Sequence, residues 1–451
     1  MKRRWMIAGL VGLILATMAV YAQVSRDFAG EFLNTAAGRA LIQSYGALKS
    51  GYLHDVDDET LIRGAIKGMI ASLEDPYSSY VEPRAAAREL QDLSGSFEGI
   101  GAVLTAQDRS TGKGVQVLTV YEGGPAAHAG LQRGDVFLEV DGVDVRDFTS
   151  SEVADVVRGP KGTTVRLTMS RPGAPEPLTF EIVRDTIQVI HVSSTMLPDD
   201  VGYVSLSSFN SQRLHEQMVE HVDRLIAAGA TSLILDLRDN SGGLLTQAIA
   251  VADEFLTSGD IVFQRARGVT QRIASADPAG YDLPLVVLVN EQSASASEIV
   301  AGALQENGRA LIVGEQTFGK GVAQSVLTLS DGGQLRYVSF EWLTPNRQSI
   351  AEQGVTPDLF AEDTRFPNTI SASGRGLKPG QTVEIVVDGE VVGTTTADED
   401  GSFDVLALGP LPEVSPVQGE AIVHLDTDTA LQIAYDAVVE QRASAMANAA
   451  D

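Results

Sequence analysis

Residues 290–298 read Asn290-Glu291-Gln292-Ser293-Ala294-Ser295-Ala296-Ser297-Glu298. This stretch follows the apolar run Leu285–Val289, typical of a buried strand, and residues 297–304 have the pattern of a helix. A hydroxyl on a strand-to-helix turn is held at the sheet edge, beside helix N-terminal amides that can stabilise an oxyanion. Serine at a helix start is more often simply an N-cap. Taken alone, the turn is therefore compatible with a catalytic serine or with a helix cap.

A glycine-rich loop further along the chain contains one of only seven lysines, and it reads Gly314-Glu315-Gln316-Thr317-Phe318-Gly319-Lys320-Gly321-Val322-Ala323-Gln324. A lysine in such a loop is most often a solvated charge or a phosphate ligand. The phosphate-loop spacing Gly-x4-Gly-Lys-Ser/Thr is not met, because Gly321 follows Lys320. A serine hydroxyl needs a base to take its proton, and a lysine can be that base where burial lowers its pKa.

The six histidines are the competing candidates for a base. They lie outside the glycine-rich turns, and none has the His-Glu-x-x-His spacing of a metal site. Arginine cannot act as the base because its pKa is too high. A Ser–Lys dyad, which is a known variant of the catalytic triad, is therefore favoured over a histidine-based triad.

A third turn comes directly after the apolar run 232–235, and it reads Asp236-Leu237-Arg238-Asp239-Asn240-Ser241-Gly242-Gly243. Two consecutive glycines permit close backbone approach and expose amide N–H groups. The turn is either a tight connection from strand to helix or the source of a second oxyanion donor.

Composition excludes several classes of protein. The chain has 451 residues, with 60 acidic and 33 basic side chains, a formal charge of −27 and no cysteine. The lack of cysteine excludes a disulfide scaffold, a thiol nucleophile and a Cys-ligated metal. The acidity argues against nucleic acid as a partner, because phosphate binding needs clustered Lys and Arg.

The N-terminus has the pattern of an export signal. Lys2-Arg3-Arg4 precedes an uncharged apolar run over residues 5–22, with Val20-Tyr21-Ala22 as a candidate cleavage site. A run of this length could also span a bilayer as an uncleaved anchor. We therefore expect an exported protein, periplasmic or otherwise extracytoplasmic, either released by cleavage or anchored to the inner membrane.

Patterning divides the rest of the chain into five segments. Helical spacing is followed by short β-branched runs with Gly-Pro and Asp-Gly turns, then by alternating strands and helices that indicate a covered sheet. A second β-like segment and a final helix close the chain. The predicted bounds are 34–95, 97–185, 190–362, 366–425 and 426–442.

Together these segments resemble the carboxyl-terminal processing proteases, also called tail-specific proteases, over residues 34–362. Five motifs occur in the family's order, and they are Ser72-Leu73-Glu74-Asp75-Pro76-Tyr77-Ser78, Phe97-Glu98-Gly99-Ile100-Gly101-Ala102, residues 236–243, residues 293–298 and Thr317-Phe318-Gly319-Lys320-Gly321. The resemblance implies an α/β multidomain protein. Its parts would be a helical N-terminal region, an inserted PDZ domain over 97–185 and a crotonase/Clp-protease-like α/β core over 190–362.

The resemblance also assigns roles to individual residues. It makes Ser295 the nucleophile, Lys320 the general base and Gln324 the residue that orients the lysine amine. The backbone N–H groups of Ala296 and Gly242 would form the oxyanion hole, with Gly243 one position away as the alternative.

The resemblance to a PDZ domain gives the motif Gly99-Ile100-Gly101-Ala102 a binding role. It would be the carboxylate-binding loop, where backbone amides capture the C-terminus of a peptide that adds a strand to the sheet. The alternative is that Gly99 and Gly101 only shape a hairpin.

Residues 366–425 depart from the family pattern and resemble a bacterial immunoglobulin-like β-sandwich module. The acidic stretch Asp398-Glu399-Asp400-Gly401 raises the question of calcium. The spacing and terminal Glu of an EF-hand are absent, so a solvated hairpin turn is favoured and no metal is expected.

These observations predict an exported serine endopeptidase that recognises protein C-terminal tails and cleaves through an acyl-enzyme. Its partners would be proteins or peptides with accessible C-termini, with no cofactor and no nucleic acid, and an oligomer is compatible with the sequence. One alternative is a catalytically silent peptide- or lipid-binding protein on the same scaffold. Another, an acyl-CoA enzyme with the related crotonase-like core, would use paired carboxylates and no PDZ domain.

Overall fold

The computed structural model describes residues 30–107, 112–121, 123–278, 280–365, 369–387, 390–408 and 419–450. The chain divides into two compact units. The first contains the described residues up to Val81 together with Gln334–Tyr337, and the second contains Glu82–Gly333 and the chain from Val338 onward. The predicted signal peptide or membrane anchor over residues 1–22 lies outside the described residues. Within those that are described, no helix has the length and apolar character needed to cross a membrane.

The first unit contains two helices and one short strand, which are α1 (Ala36–Gly51), α2 (Asp58–Ala71) and β1 (Ser79–Val81). Side-chain caps begin both helices. Thr35 Oγ1 accepts a hydrogen bond from an N–H of the first turn of α1, and Asp57 Oδ1 does the same for α2. β1 pairs antiparallel with residues 334–336, an element that helical spacing over 34–95 does not predict.

The second unit opens with helix α3 (Pro83–Leu93) and a region of short strands. The strands and helices of this region are β2 (Ser96–Gly99), β3 (Ala102–Ala106), β4 (Val115–Val120), α4 (Pro125–His128), β5 (Val136–Val140), β6 (Val143–Asp144), α5 (Ser150–Val157), β7 (Thr164–Ser170), β8 (Leu178–Val183) and β9 (Asp185–Gln188). One antiparallel sheet has the order β3-β4-β5-β7-β8 with β6 beside β5, and β2 pairs with β9. Val117, Phe137 and Leu167 belong to the apolar cluster that this region buries.

The following region alternates strands and helices, as the sequence predicts. Its elements are β10 (Val192–Leu197), β11 (Val201–Leu206), α6 (Leu214–Ala227), β12 (Ser232–Asp236), α7 (Leu245–Asp253), β13 (Asp260–Ala266), β14 (Val269–Ser275), β15 (Leu285–Val289), α8 (Ala296–Glu306), β16 (Leu311–Gly314), β17 (Val322–Thr328), β18 (Gln334–Leu343) and β19 (Leu359–Phe360). The predicted strands at 201–206 and 285–289 are confirmed at both ends.

The central sheet has the order β10-β11-β12-β15-β16-β19. Its neighbours are parallel except for β10, which is antiparallel to β11. A second, antiparallel sheet includes β14, β13 and β18, with β17 beside β18. Because the β11-to-β16 connections pass through helices, the carboxyl ends of β12, β15 and β16 meet at one edge of the central sheet.

Both faces of the central sheet are covered, which explains the continuous apolar runs in its middle strands. In β15, Leu285, Val287 and Val289 belong to the apolar cluster formed with α6, α7 and α8. The alternate residues Val286 and Leu288 belong to a second cluster. That second cluster includes the last helix, α9 (Thr429–Ala450).

Between the core and α9, residues 369–408 form two antiparallel pairs. The strands are β20 (Thr369–Gly374), β21 (Thr382–Val387), β22 (Glu390–Thr396) and β23 (Phe403–Leu408), with β20 beside β23 and β21 beside β22. Asp388-Gly389, the turn between β21 and β22, lies outside the described residues. The acidic stretch at 398–401 is a turn closed by its own backbone, where the Gly401 N–H donates to Asp398 O at 3.0 Å.

After this module the chain returns along the edge of the central sheet. The Ser194 N–H donates to Gly419 O at 3.0 Å, and the Ala421 N–H donates to Ser194 O at 3.1 Å. Beneath this contact, Ser194 Oγ and His221 Nδ1 share a buried hydrogen bond of 2.7 Å. Burial lowers the pKa of His221 from 6.5 to about 4, with the nearby positive charge of Arg224 acting in the same direction.

The buried imidazole predicts a loss of stability in acid. Between pH 6.5 and about pH 4 the unfolded chain binds a proton at His221 that the folded chain does not, so the free energy of unfolding falls as pH falls through this window. His221→Asn removes this titration while retaining a hydrogen-bonding group. In urea unfolding series, we expect the difference in free energy of unfolding between wild type and His221→Asn to become smaller as pH falls. His128→Asn, at an exposed position, is the control, and an unchanged difference between wild type and His221→Asn would contradict the prediction.

Candidate active site

Three turns meet at the carboxyl edge of the central sheet. They follow β12, β15 and β16, and the strand register places Asp236 beside Leu288 and Val289 beside Gly314. The sequence-predicted residues Gly242, Ser295 and Lys320 lie on or directly beyond these turns. The parallel sheet therefore collects at one edge segments that are widely separated along the chain.

Ser295 is the N-cap residue of α8 and has an unusual backbone conformation, with φ of 57° and ψ of −110°. A positive φ at a residue other than glycine is strained and occurs most often at functional sites. Ser293 and Ser297 flank it, and both are fully buried. The Ser293 hydroxyl donates to Leu237 O and that of Ser297 to Asn240 O, each at 2.8 Å. Of the three serines, Ser295 is the one that remains partly exposed.

The carboxylate of Glu298 joins the Ser295 turn to the Lys320 loop. Its Oε2 accepts from the Ser295 N–H at 2.7 Å and from the Lys320 N–H at 3.0 Å. Its Oε1 accepts from the Gly319 N–H at 2.7 Å and from Thr317 Oγ1 at 2.6 Å. Because one oxygen binds both amides, the backbones of the proposed nucleophile and base lie close together.

Complete burial raises the pKa of Glu298, while the hydrogen bonds from Thr317, Gly319, Ser295 and Lys320 act in the opposite direction. The sequence prediction did not include this residue. A Glu three positions after a serine at a helix start has the spacing of a capping box, and that signal could have identified it.

Lys320 lies half-buried near the end of the loop that leads from β16 into β17. Its Nζ donates to Gln324 Oε1 at 3.2 Å, so the two residues that the resemblance pairs are in contact. The indole Nε1 of buried Trp342 donates to Lys320 O at 2.9 Å and holds the backbone of the loop. Burial lowers the pKa of Lys320 below its usual 10.5, against the opposing charge of Glu298. The shift favours the neutral amine that a general base requires.

The turn after β12, residues 237–243, is called the glycine turn, and the turn after β15, residues 290–295, is called the serine turn. The glycine turn packs directly against the serine turn. Gly242 has a φ of +97°, and a Cβ at this position would lie 2.7 Å from Ala294 O and 2.9 Å from Ala296 N. Any side chain here would therefore separate the two turns. The structure places Gly242 beside Ser295 and Ala296, the residues with which the sequence groups it.

The amide of Gly242 differs from the expectation in one respect. Its N–H donates to Asn240 Oδ1 at 3.0 Å, which closes an Asx-turn, so this hydrogen already has an acceptor. The next amide, that of Gly243, donates to no acceptor among the described residues. Of the two glycine amides, the one without an acceptor is therefore that of Gly243, the alternative position in the sequence prediction.

Asn240 connects the two turns through its backbone as well. Its carbonyl oxygen accepts from the Ala294 N–H at 3.0 Å and from the Ser297 hydroxyl at 2.8 Å. Its side-chain amide donates to Leu206 O at 2.7 Å. Asn240 is fully buried, so all of these bonds are protected from water.

The second predicted site, Gly99-Ile100-Gly101-Ala102, lies at one end of a groove between β3 and α5. The amides of Ile100 and Gly101 donate to no acceptor among the described residues. The groove has mainly apolar walls with two arginines, and its lining consists of Arg88, Phe97, Ile100, Gly101, Ala102, Val103, Leu104, Tyr121, Ser150, Ser151, Ala154, Val157 and Arg158. None of these residues belongs to the three turns at the sheet edge, so the structure forms two separate sites.

No cluster of three or more His, Asp or Glu side chains suited to a metal ion occurs in the part of the chain that the structure describes.

Comparison with known proteins identifies three regions of the chain. The model of peptidase family S41 matches residues 200–360, that of the PDZ domain matches residues 116–171, and that of the activating protease CtpB N-terminal domain matches residues 25–85. The first match contains Ser295, Lys320 and the glycine turn, and the second lies within the region of short antiparallel strands.

Related proteins carry consistent names. The carboxy-terminal processing protease CtpA of Bacillus subtilis is 36% identical over 324 residues, which cover 71% of this chain and 68% of the relative. A carboxy-terminal-processing protease of Bartonella bacilliformis is 38% identical over 321 residues, covering 70% and 73%. Among solved structures, the photosystem II D1 C-terminal processing protease is 33% identical with a TM-score of 0.46, covering 73% of this chain and 88% of that one. On the sequence matches, this chain belongs to peptidase family S41 and is a serine-type carboxy-terminal processing protease with a PDZ domain.

Proposed function

We propose that this protein is an exported endopeptidase in which Ser295 and Lys320 form the catalytic dyad. The observation that carries the proposal is the bridge made by Glu298, whose Oε2 accepts hydrogen bonds from the backbones of both residues. Burial also lowers the pKa of Lys320, so its amine loses a proton more readily than that of a solvated lysine. Ser295, which is partly exposed, supplies the hydroxyl nucleophile, and this amine takes the proton of that hydroxyl.

The proposed reaction has two steps, each with Lys320 as the proton carrier. Ser295 Oγ attacks the peptide carbonyl carbon while neutral Lys320 Nζ takes the hydroxyl proton. The resulting ammonium gives this proton to the leaving amine as the C–N bond breaks and the acyl-enzyme forms. Water then attacks the ester carbonyl carbon while Lys320 takes one of its protons, and the ammonium returns this proton to Ser295 Oγ as the ester C–O bond breaks and the acid product leaves. Gln324 Oε1 directs the amine through its 3.2 Å hydrogen bond.

The negative charge of the tetrahedral intermediate needs hydrogen-bond donors next to Ser295. The Ala296 N–H at the start of α8 is the first candidate, as the sequence resemblance implies. For the second donor we favour Gly243 over Gly242, because the Gly242 N–H is engaged by Asn240 Oδ1. Gly242 itself then provides the close backbone approach.

We further propose that the PDZ groove holds the C-terminal segment of the substrate. The unengaged amides of Ile100 and Gly101 are suited to a terminal carboxylate, and the apolar walls of the groove are suited to a side chain next to it. The Arg158 guanidinium lies over the Phe97 ring, 4.6 Å from its centroid, which adds positive charge near this loop.

Export is proposed from the N-terminal pattern. Three basic residues precede an uncharged apolar run over residues 5–22. The chain has no cysteine, so its fold does not depend on the redox state of the compartment. Anchoring to the inner membrane by the same segment is the variant of this proposal in which cleavage does not occur.

The dyad predicts that Ser295→Ala and Lys320→Ala each abolish peptide cleavage, lowering kcat by about 10³-fold or more. The reason is that each variant removes one of the two groups that act together on the same proton. Cleavage of an internally quenched peptide by the purified full chain measures the effect. Lys378→Ala, at an exposed lysine of the module, is the control. Full activity of Lys320→Ala would eliminate the dyad, and an inactive wild type would favour the catalytically silent alternative.

The pH dependence of the rate follows from the same base. Lys320 accepts a proton only when neutral, so kcat/KM for an uncharged substrate rises with pH as the amine deprotonates, with a midpoint below 10.5 because burial lowers the pKa of Lys320. Initial rates across a buffer series give the profile. A rate independent of pH from about 6 to 10 would be inconsistent with a lysine base.

Tail recognition predicts a strong preference for a free C-terminal carboxylate. A peptide amidated at its C-terminus lacks the charge that the Ile100 and Gly101 amides would bind, so KM should rise about tenfold or more with a smaller change in kcat. The same peptide acetylated at its N-terminus is the control. Equal KM values for the free and amidated peptides would refute carboxylate capture while leaving the dyad intact.

A further inference from the structure

The guanidinium of Arg238 lies at the start of the glycine turn and has no solvent exposure. Its Nη2 donates to Asp236 Oδ2 at 2.6 Å, and its Nε lies 3.0 Å from both oxygens of the same carboxylate. Asp236 is the last residue of β12, and Tyr203 OH donates to it at 2.7 Å. Arg238 is thus fixed to the end of β12, the strand that leads into the glycine turn.

The other side of this guanidinium is held by Asp428, which lies 190 positions later in the chain. Nη1 and Nη2 donate to Asp428 Oδ1 and Oδ2, both at 2.8 Å, which is the two-bond geometry of an arginine–carboxylate pair. The Asp428 side chain is 7% exposed. A third carboxylate, that of Asp363, accepts from Nη1 at 3.3 Å, so the planar guanidinium is held by three carboxylates and cannot rotate without breaking several charged hydrogen bonds.

Asp428 also begins the last helix of the chain. Its Oδ1 accepts from the Leu431 N–H at 3.0 Å, as an N-cap carboxylate does for the first turn of α9. The apolar side of α9, including Leu431, Ala434 and Val438, packs on the face of the central sheet opposite α8. The helix start is thereby fixed to the sheet and to Arg238 at once.

We propose that Asp428 is a positioning residue for the peptidase reaction, acting through Arg238 to hold the turn at 237–243 against the Ser295 turn. A buried ion pair contributes little net stability, because desolvation of the charges offsets their attraction. Its consequence here is geometric. Arg238 is two residues before Asn240 and five before Gly243, and the Asn240 carbonyl binds the Ala294 N–H. This inference rests on the proposed Ser295 chemistry.

The position of Asp428 gives its loss a specific kinetic signature. Ser295 and Lys320 are joined through Glu298, which has no bond to Asp428, so the nucleophile, the base and the pH midpoint of the rate should be retained. The glycine turn supplies the oxyanion donor, which acts in the transition state rather than in substrate binding. Loss of Asp428 should therefore lower kcat with little change in KM.

The test uses Asp428→Asn in the full chain. This substitution keeps the shape and the capping ability of the side chain and removes one of the charges paired with Arg238, leaving those of Asp236 and Asp363. We expect kcat to fall about 10- to 100-fold, KM to stay within about twofold and the pH midpoint to be unchanged. Asp428→Ser, which also caps helices but cannot reach both guanidinium nitrogens, should give at least the same loss.

Val438→Ala is the matched control on the same helix. Val438 is fully buried against the sheet and does not contact Arg238, so its truncation weakens the packing of α9 without altering the ion pair. We expect a lower Tm and an unchanged kcat at temperatures below the transition. Comparing the two variants shows whether a fall in kcat comes from weaker packing of α9 or from loss of the contact between Asp428 and Arg238.

Other outcomes overturn the inference. These are an unchanged kcat in both Asp428 variants, an equal loss of kcat in Val438→Ala at a matched fall in Tm, or a rise in KM that accounts for the loss. Absence of a cooperative thermal transition in both Asp428 variants would assign the residue to folding and would also overturn it. Wild type and Ser295→Ala are measured in the same assay, so failure of the dyad itself is recognised separately.

Discussion

The buried carboxylate of Glu298 accepts hydrogen bonds from four groups, and two of these are the backbone amides of Ser295 and Lys320. Hydrogen bonds inside a protein are stronger than in water, and a buried carboxylate left without donors is costly. The serine turn and the lysine loop are therefore stabilised as one unit by a residue in the first turn of α8. The backbone of Lys320 is thereby fixed, and its Nζ donates to Gln324 Oε1.

The strained backbone of Ser295 is tolerated because its neighbours hold it. A positive φ outside glycine costs on the order of 1–3 kcal/mol and persists where the surroundings determine it. Ser293 and Ser297 bind carbonyl groups of the glycine turn on either side, and Gly242 leaves no room for a side chain between the two turns. The same contacts that support the strain also bring the amides of the glycine turn next to Ser295.

The last helix, α9, is part of the core of the α/β region. After the two strand pairs over 369–408, residues 419–421 join the edge of β10, and α9 covers the second face of the central sheet. Val286 and Leu288 would otherwise be exposed on that face. The Asp428 carboxylate connects the start of α9 to Arg238 and hence to the glycine turn. The catalytic region and the C-terminal helix therefore form one structure, although the module of four strands separates them in sequence.

Local patterns in the sequence determined the strands at 201–206 and 285–289, the helix after Ser295 and the chemistry of a serine with a lysine, because burial, period and turn residues act over a few neighbours. They did not indicate that β1 pairs with residues 334–336, that Glu298 has four donors, or that Asp428 binds Arg238. Among three serines they could not select one. The family resemblance implied the Gly242 amide as an oxyanion donor, with Gly243 as the alternative, and the N–H of Gly242 is engaged by Asn240. The pairing of β1, the donors that reach Glu298 from the Lys320 loop and the contact between Asp428 and Arg238 all join groups that are distant along the chain. Hydrogen-bond partners of that kind are decided only by tertiary structure, because a residue type specifies what it can bind but not which group lies within 3 Å of it.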